Sequence, residues 1–269
     1  MLKAQKVECF FVKRLNLKSL RILKKRLSGR NRQGRSVLRS RGGGTRSFCK
    51  LVDLFRRLYN LPGLVKAFVY DAGRNLYLSL IYYSNGVYSY ILTPVYLNLG
   101  EFVVSGFRVV LKSGNFLSLV FLPLGSLVNC VSFFFNGPSK IARSAGTSVQ
   151  LLKRFLDYSL IRLPSGEERL VGLSNFCSIG VLSGSINKLY KLRKAGERIL
   201  KGRKPSVRGV AKNPIDHPHG GGEGRTTAGQ PSVSPWGVYT KGVRTTSKFV
   251  RYKGLNVWRI FKRRDWRKF

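Results

Sequence analysis

Both histidines of the chain lie in one short run, Asn213-Pro-Ile-Asp-His-Pro-His-Gly-Gly-Gly-Glu-Gly-Arg225. Asp216, His217 and His219 carry the carboxylate and imidazole groups that ligate transition metals, but residues so close in sequence rarely complete a tetrahedral site unaided. His217 could alternatively be a general base oriented by Asp216, although the neighbouring residues supply no nucleophile. In a third interpretation the run is a loop packed against RNA, in which glycines allow close approach and imidazole nitrogens contact phosphates and 2′-hydroxyls. The third interpretation fits the cationic surroundings best.

A second candidate binding segment, residues 29–46, interleaves six arginines with glycines and contains no acidic residue. Guanidinium groups engage phosphate oxygens bidentately and stack on bases, and the Gly42-Gly43-Gly44 triplet lets backbone amides approach a polyanion. A disordered basic tail has a similar composition, but the compact triplet indicates a defined path. Because irregular and single-stranded RNA favours Arg-Gly elements, the segment predicts RNA in preference to DNA.

The charge of the whole chain points to the same class of partner. Fifty Lys and Arg face 11 Asp and Glu in 269 residues, a net charge of +39 at pH 7, and residues 1–50 and 201–269 together carry +29 of it. Self-repulsion at this level opposes compaction unless a polyanion neutralises it. The charge therefore argues against an ordinary metabolic enzyme and favours nucleic acid or, as the lesser alternative, an anionic membrane as partner.

The less charged middle of the chain must position these cationic ends. It contains short β-favouring runs separated by turn signals, among them an Asn85-Gly86 pair that predicts a hairpin. Residues 101–110 and 128–135 predict further strands. The density of short strands predicts a small OB-type barrel followed by an SH3-like barrel, so the expected fold class is mainly β.

Two stretches, residues 75–100 and 113–139, contain no charged residue and are long enough to cross a bilayer. Turn residues interrupt both at intervals of about ten, so we expect strands and no membrane span. Residues 11–27 predict a basic amphipathic helix, either an organellar targeting segment or a mature helix facing RNA or a membrane. Residues 186–200 predict a brief helix, which an extended Gly- and Pro-rich tail follows.

Two further features have simple interpretations. The cysteines Cys9, Cys49, Cys130 and Cys177 form no Cys-x-x-Cys pair, so we expect reduced thiols and neither a zinc site nor disulfides. The small-residue loop Ala142-Arg-Ser-Ala-Gly-Thr147 is either a tight turn or a close approach to a nucleic-acid backbone.

Several of these segments together resemble one known family. They are Gly-Arg-Asn-Arg-Gln-Gly-Arg from Gly29, Ile91-Leu-Thr-Pro94, Leu124-Gly-Ser126, Ala142 to Thr147, Val207-Arg-Gly-Val210, Asn213 to Arg225 and Ser234-Pro-Trp-Gly237. In order and spacing, over residues 29–250, they resemble the universal large-subunit ribosomal protein of the second family. The run from Glu223 to Gly237 is most similar to the alphaproteobacterial and mitochondrial branch.

The resemblance implies an organisation in four parts: a basic N-terminal extension (1–47), an OB-fold RNA-binding domain (48–112), an SH3-like barrel domain (113–198) and an extended basic tail (199–269). It also implies a structural, non-enzymatic role near the peptidyl transferase centre of the large mitochondrial subunit, in the mitochondrial matrix. There the protein would support subunit association, tRNA placement and peptide-bond formation, with His217 positional because the RNA is the catalyst. The alternative is a free nucleic-acid-binding or membrane-surface protein.

The resemblance further implies the partners and the binding residues. The expected partners are large-subunit rRNA, neighbouring ribosomal proteins, the small subunit across the interface and, indirectly, tRNA. No cofactor is expected beyond magnesium shared with rRNA. The predicted rRNA-binding residues are Arg30, Arg32, Arg35, Arg39, Arg41, Gly42, Gly43, Gly44, Arg46, Arg143, Ser144, Arg208, Asn213, His217, His219, Gly220, Gly221, Gly222, Arg225, Trp236 and Lys241.

Overall fold

A computed structural model describes residues 17–23, 27–45, 48–223 and 229–242, and the backbone of Arg259–Phe261. The chain forms two compact units. The first consists of Met1–Lys24, Ser47–Tyr190 and Trp258–Phe269, and the second of Lys25–Arg46 and Lys191–Val257. The first unit contains the strands and the hydrophobic core, and the second contains most of the predicted binding residues.

The first part of the strand-rich unit is an antiparallel meander. Two short strands, β1 (Arg21–Leu23) and β2 (Phe48–Lys50), pair with each other, and β3 (Gly63–Asp71), β4 (Leu76–Tyr83), β5 (Tyr88–Leu92) and β6 (Phe102–Val103) form a sheet in the order β5-β4-β3-β6. In β3 the apolar residues Val65, Ala67 and Val69 face inward and alternate with more exposed positions, as expected for a strand with one buried face. The Asn85-Gly86 hairpin is confirmed between β4 and β5.

The second part of this unit contains nine strands: β7 (Phe116–Ser118), β8 (Leu127–Asn129), β9 (Val131–Ser132), β10 (Ser139–Ile141), β11 (Val149–Arg154), β12 (Tyr158–Arg162), β13 (Glu168–Gly172), β14 (Phe176–Ile179) and β15 (Arg259–Phe261). Seven of them form one sheet in the order β15-β13-β12-β11-β8-β14-β7, and β9 pairs with β10. Leu117, Val128, Leu151 and Ile161 lie in its fully buried core. The predicted mainly β fold, an OB-type barrel followed by an SH3-like barrel, is confirmed.

Both uncharged stretches contain strands. Residues 75–100 include β4 and β5, and residues 113–139 include β7, β8 and β9. Within the described ranges, no helix combines the length and apolar character needed to cross a bilayer. Cys49, Cys130 and Cys177 are free thiols, and Cys9 lies outside the described residues. Burial raises the pKa of Cys130 to about 12, so this thiol is un-ionised at neutral pH.

The predicted amphipathic helix over residues 11–27 is wrong where the structure describes it. Lys18–Leu20 form a single 3-10 turn and Arg21–Leu23 form β1, which pairs with β2. Leu17 and Leu20 pack against a core cluster, whereas Leu23 is exposed. Backbone pairing to a distant strand has overridden the helical spacing of the leucines, a choice that local sequence does not encode. Residues 11–16 and 24–26 lie outside the described residues.

Three other predicted elements are shorter than expected. The strand predicted at 101–110 ends at Val103, because the Gly106 N–H turns away to the carbonyl oxygen of Phe116 at 2.9 Å. The strand at 128–135 breaks at Cys130, whose φ is +50°. The helix at 186–200 becomes a 3-10 turn at Ser185–Lys188 and α1 at Ala195–Leu200. Neither buries a side chain, so nothing favours a longer helix.

Candidate nucleic-acid interface

The arginine-rich segment folds into a compact loop at residues 29–38. The carbonyl oxygen of Gly29 accepts two backbone N–H groups from the far end of the loop, at 2.8 and 3.0 Å. Inside the loop, Asn31 Oδ1 accepts the N–H groups of Gln33 and Arg35, both at 3.0 Å. These bonds fix the backbone while the arginine side chains remain exposed. The loop therefore presents guanidinium groups from a defined scaffold.

The Gly42–Gly44 triplet passes along the C-terminal end of α1. The Gly42 N–H donates to the carbonyl oxygen of Gly202, and the Thr45 N–H donates to that of Leu200, both at 3.1 Å. A Cβ on Gly44 would lie 2.3 Å from the Leu200 oxygen, so a larger residue cannot follow this path. These hydrogen bonds join residues 42–45 to residues 200–202, far apart in the sequence, within the second unit.

His217 is the one buried side chain among the described residues of this second unit, with 8 % of its surface exposed. Its ring lies directly on Gly209, where a Cβ would come within 2.5–2.7 Å of three ring atoms. Its Nδ1 accepts the His219 N–H at 3.0 Å, and the two rings are 5.1 Å apart. The histidine ring takes the place that an apolar side chain would occupy in a small core.

Backbone hydrogen bonds close the loop around this ring. The Gly220 N–H donates to the carbonyl oxygen of His217 at 2.8 Å, and the Gly221 N–H donates to that of Lys212 at 3.0 Å. A Cβ on Gly220 would lie 2.2 Å from the Asn213 carbonyl oxygen. The glycines therefore allow the chain to double back against its own backbone.

Hydrogen bonding assigns a tautomer to each neutral imidazole. Because His217 Nδ1 accepts a hydrogen bond, its proton resides on Nε2. His219 Nε2 accepts the Val233 N–H at 3.2 Å, so its proton resides on Nδ1. Burial, and then the charges of His219, Lys212 and Arg39, hold the pKa of His217 below its ordinary value. The arrangement favours an uncharged His217 ring at neutral pH.

This geometry bears on the general-base and the metal-site interpretations of the histidine loop. A general base needs a free lone pair on a ring nitrogen, and the lone pair of His217 Nδ1 is already used by the His219 amide. A metal would compete for the same nitrogen and for His219 Nε2, which also accepts an amide. Across the described ranges, no group of three or more His, Cys, Asp or Glu side chains converges. In the described part of the loop, both imidazole acceptor nitrogens are thus engaged by backbone amides.

The second unit brings together most of the predicted binding residues. Arg143 and Ser144 instead lie in the first unit, exposed on the loop between β10 and β11. Arg46 and Arg225 lie outside the described residues. The predicted residues of the second unit with exposed side chains are Arg30, Arg32, Arg35, Arg39, Arg41, Arg208, Asn213, Trp236 and Lys241. Arg39 also lies 5.9 Å from the Trp236 ring centroid, at the limit of a cation–π contact.

Among the described residues, no ion pair neutralises the exposed cations of the second unit. The ion pairs seen within the described part of the chain join Arg74 to Asp71, Arg162 to Glu168 and Arg169 to Glu167, all in the first unit. The predicted arginines that the structure describes form no ion pair with another described residue, so their guanidinium groups can bind a polyanion.

Sequence reasoning missed three participants of the second unit. Arg203 pairs with Arg41 through an isolated β-bridge, and the Lys204 N–H donates to the carbonyl oxygen of Ser40 at 3.1 Å, so both cations border the glycine triplet. Gly209 supports the His217 ring. The charge run from Lys201 to Lys204 signals the first two, but no local pattern reveals the contact of Gly209.

Two β-barrels together with a cationic unit whose described residues bury no apolar side chain are typical of a nucleic-acid-binding protein. The chain matches the family model described as the RNA binding N-terminal domain of Ribosomal Proteins L2 over residues 17–105, and that of the C-terminal domain over residues 112–237. It is 45 % identical over 217 residues to the large ribosomal subunit protein uL2 of Parvibaculum lavamentivorans, covering 81 % of this chain and 78 % of the relative.

Two further relatives are similarly close. The uL2m protein of Reclinomonas americana is 42 % identical over 237 residues, 88 % of this chain and 85 % of the relative. The uL2 protein of Rickettsia prowazekii is 42 % identical over 239 residues, 87 % of this chain and 88 % of the relative. The chain belongs to the L2 family of large-subunit ribosomal proteins.

Proposed function

We propose that the chain is a structural constituent of the large ribosomal subunit that binds large-subunit rRNA through its second unit. The observation that carries this proposal is the arginine loop, which exposes guanidinium groups on a backbone fixed by Asn31 and forms no ion pair with any residue that the structure describes. Such groups bind phosphates bidentately, and released counterions supply the driving force. The described part of the second unit buries no apolar side chain, so we expect a bound polyanion to stabilise its hydrogen-bonded loops.

Within the subunit, the proposed place is near the peptidyl transferase centre, with roles in subunit association and tRNA placement. His217 acts there by position: it fills the centre of its loop and fixes the backbone of residues 217–221. Neighbouring ribosomal proteins and the small subunit are the remaining proposed partners. In this proposal the protein contributes no acid–base step, since the His217 lone pair stabilises its own loop.

The proposed compartment is the mitochondrial matrix. It is supported by the similarity to the uL2m protein of Reclinomonas americana, although the other relatives named above are bacterial uL2 proteins. Fractionation of organelles decides it: the chain should co-sediment with large subunits from purified mitochondria. It should leave them only at high salt with magnesium removed. Sedimentation at the top of the gradient, or with membranes, would support a free nucleic-acid-binding or membrane-surface protein.

Replacement of the loop arginines tests rRNA binding directly. Changing Arg30, Arg32 and Arg35 to Ala should weaken binding to large-subunit rRNA and lower the magnitude of the slope of log K against log salt by about 2–3, since each lost phosphate contact removes about 0.7–0.9. Changing the same residues to Lys should preserve most of the slope but weaken binding to large-subunit rRNA, because an ammonium group cannot bind a phosphate bidentately.

The matched control removes the same charge from the first unit. Lys153, Arg154 and Lys188 are exposed in the first unit outside residues 48–112, and their replacement by Ala should change the slope by less than one. Equal effects of the two triple variants would show that net charge alone, and not the loop, determines binding.

A further inference from the structure

A cluster of aromatic rings reaches the surface of the first unit. Phe176, almost fully buried, contacts Phe107 at 5.2 Å, Tyr59 at 5.5 Å and Phe135 at 6.1 Å between ring centroids. Phe107 and Phe135 are half exposed, with 51 % and 54 % of their surface accessible. Phe134, the neighbour of Phe135 in sequence, is 60 % exposed, and its ring contacts Phe133 at 5.0 Å between centroids. We name Tyr59, Phe107, Phe134 and Phe135 the aromatic platform.

Backbone hydrogen bonds fix the three segments that carry the platform. The Asn60 N–H donates to the carbonyl oxygen of Ser105 at 2.7 Å, and the Ser139 N–H donates to that of Leu54 at 2.8 Å. The Tyr59 hydroxyl donates to Asn136 Oδ1 at 2.5 Å. The rings are therefore held in place before any partner binds, which lowers the entropy lost on binding.

Charge distinguishes between an apolar protein segment and a nucleic acid as the occupant. Residues 54–60, 104–112 and 133–141 contain basic residues and no Asp or Glu. Arg57 and Arg108 are exposed and lie within two residues of Tyr59 and Phe107 in sequence. Lys140 is also exposed, and its Nζ lies 5.8 Å from the Phe134 ring centroid. An apolar peptide gains little from these cations, whereas they complement phosphates beside stacked bases.

We propose that the aromatic platform binds unpaired RNA bases by stacking. Bases stack on exposed aromatic rings with little dependence on sequence, while nearby cations contact the backbone. The platform lies in the first unit and uses ring faces, so it differs in place and chemistry from the phosphate contacts of the arginine loop. The inference rests on the proposed rRNA binding and adds to it a class of ligand: single-stranded segments with accessible bases.

The test compares the full chain with ring variants in binding a fluorescent 12-nucleotide oligoadenylate and an abasic 12-mer with the same backbone. Phe134→Leu keeps an apolar side chain but removes the ring face. We expect it to bind oligoadenylate about tenfold more weakly, the effect of losing one base–ring contact, with an unchanged salt slope and unchanged binding of the abasic 12-mer. Phe134→Tyr should restore wild-type affinity.

Phe155→Leu is the matched control, because Phe155 is also 50 % exposed but lies at the hairpin between β11 and β12. It should leave both affinities unchanged. Because Phe134 is mostly exposed, its replacement should leave the thermal melt unchanged, and Phe107→Leu supplies a second, independent ring for the same measurement.

The outcomes separate this inference from the proposed function. If the wild-type chain binds both oligomers equally and Phe134→Leu and Phe107→Leu bind oligoadenylate as tightly as wild type, the platform does not stack on bases. An apolar protein contact would then be its explanation. If the wild-type chain binds neither oligomer and also does not bind large-subunit rRNA, the proposed rRNA binding itself is refuted.

Discussion

The contact between Gly209 and His217 provides the sharpest test of the positional interpretation. In Gly209→Ala the new methyl carbon would lie 2.5–2.7 Å from three atoms of the His217 ring, closer than carbon and nitrogen atoms approach without displacement. Overpacking of this kind costs about 1–3 kcal/mol. Such a cost shifts the equilibrium of loop closure by about 5- to 150-fold. We therefore expect the variant to occupy large subunits poorly.

The assay measures the fraction of purified large subunits that contain the variant, and then single-turnover peptidyl transfer per occupied subunit. Gly196→Ala is the matched control, because nothing lies within 4 Å of its Cβ position and alanine favours α1. It should occupy subunits as well as the wild-type chain. Adding His217→Ala to Gly209→Ala removes the clash. In the His217→Ala background, the alanine at position 209 should therefore lower subunit occupancy less than it does in the wild-type chain.

Two substitutions of His217 separate the roles of its ring nitrogens. Asn places a side-chain oxygen near Nδ1 and can still accept the His219 N–H, whereas Gln places its amide near Nε2 and leaves that N–H without its acceptor. We expect His217→Asn to assemble better than His217→Gln, with near wild-type transfer per occupied subunit for both. A fall of more than about a hundredfold per occupied subunit in both variants, the scale of lost acid–base catalysis, would refute the positional interpretation.

Three further predictions concern pH and folding. Because burial and neighbouring charges lower the pKa of His217 in the folded loop, the neutral ring's contribution to loop stability should be present above pH 6.5 and lost as the pH falls below it. Amide exchange of the rRNA-bound chain as a function of pH checks this, and a bound loop that tightens in acid would contradict it. Residues 205–245 of the free chain should show little amide-exchange protection and gain it on rRNA, since no apolar side chain in their described part is buried. A fragment of residues 48–190 should unfold cooperatively when its thermal melt is followed by circular dichroism, because the buried residues of all three core clusters lie between Val65 and Leu182. A gradual transition would argue against two formed barrels.

Local chemistry determined the parts of the fold whose partners lie nearby in sequence. The Asn85-Gly86 hairpin between β4 and β5 follows from its turn residues and the β-favouring runs on either side. The strand predicted at 101–110 failed because its continuation depends on an edge partner, and Gly106 bonds to Phe116 instead. The N-terminal helix failed for the same reason, since β1 exists only by pairing with β2.

For the candidate site, the sequence by itself determined the class of partner. A charge of +39, the arginine–glycine segment and the histidine run specify a polyanion-binding protein before any coordinate is known, because electrostatic attraction to phosphate depends on composition. Only the tertiary structure decided that the glycine triplet follows α1 and that the His217 ring lies on Gly209. It also placed the platform rings from three distant segments together. These are contacts between residues far apart in the chain, and they depend on how the backbone packs, which no local pattern encodes.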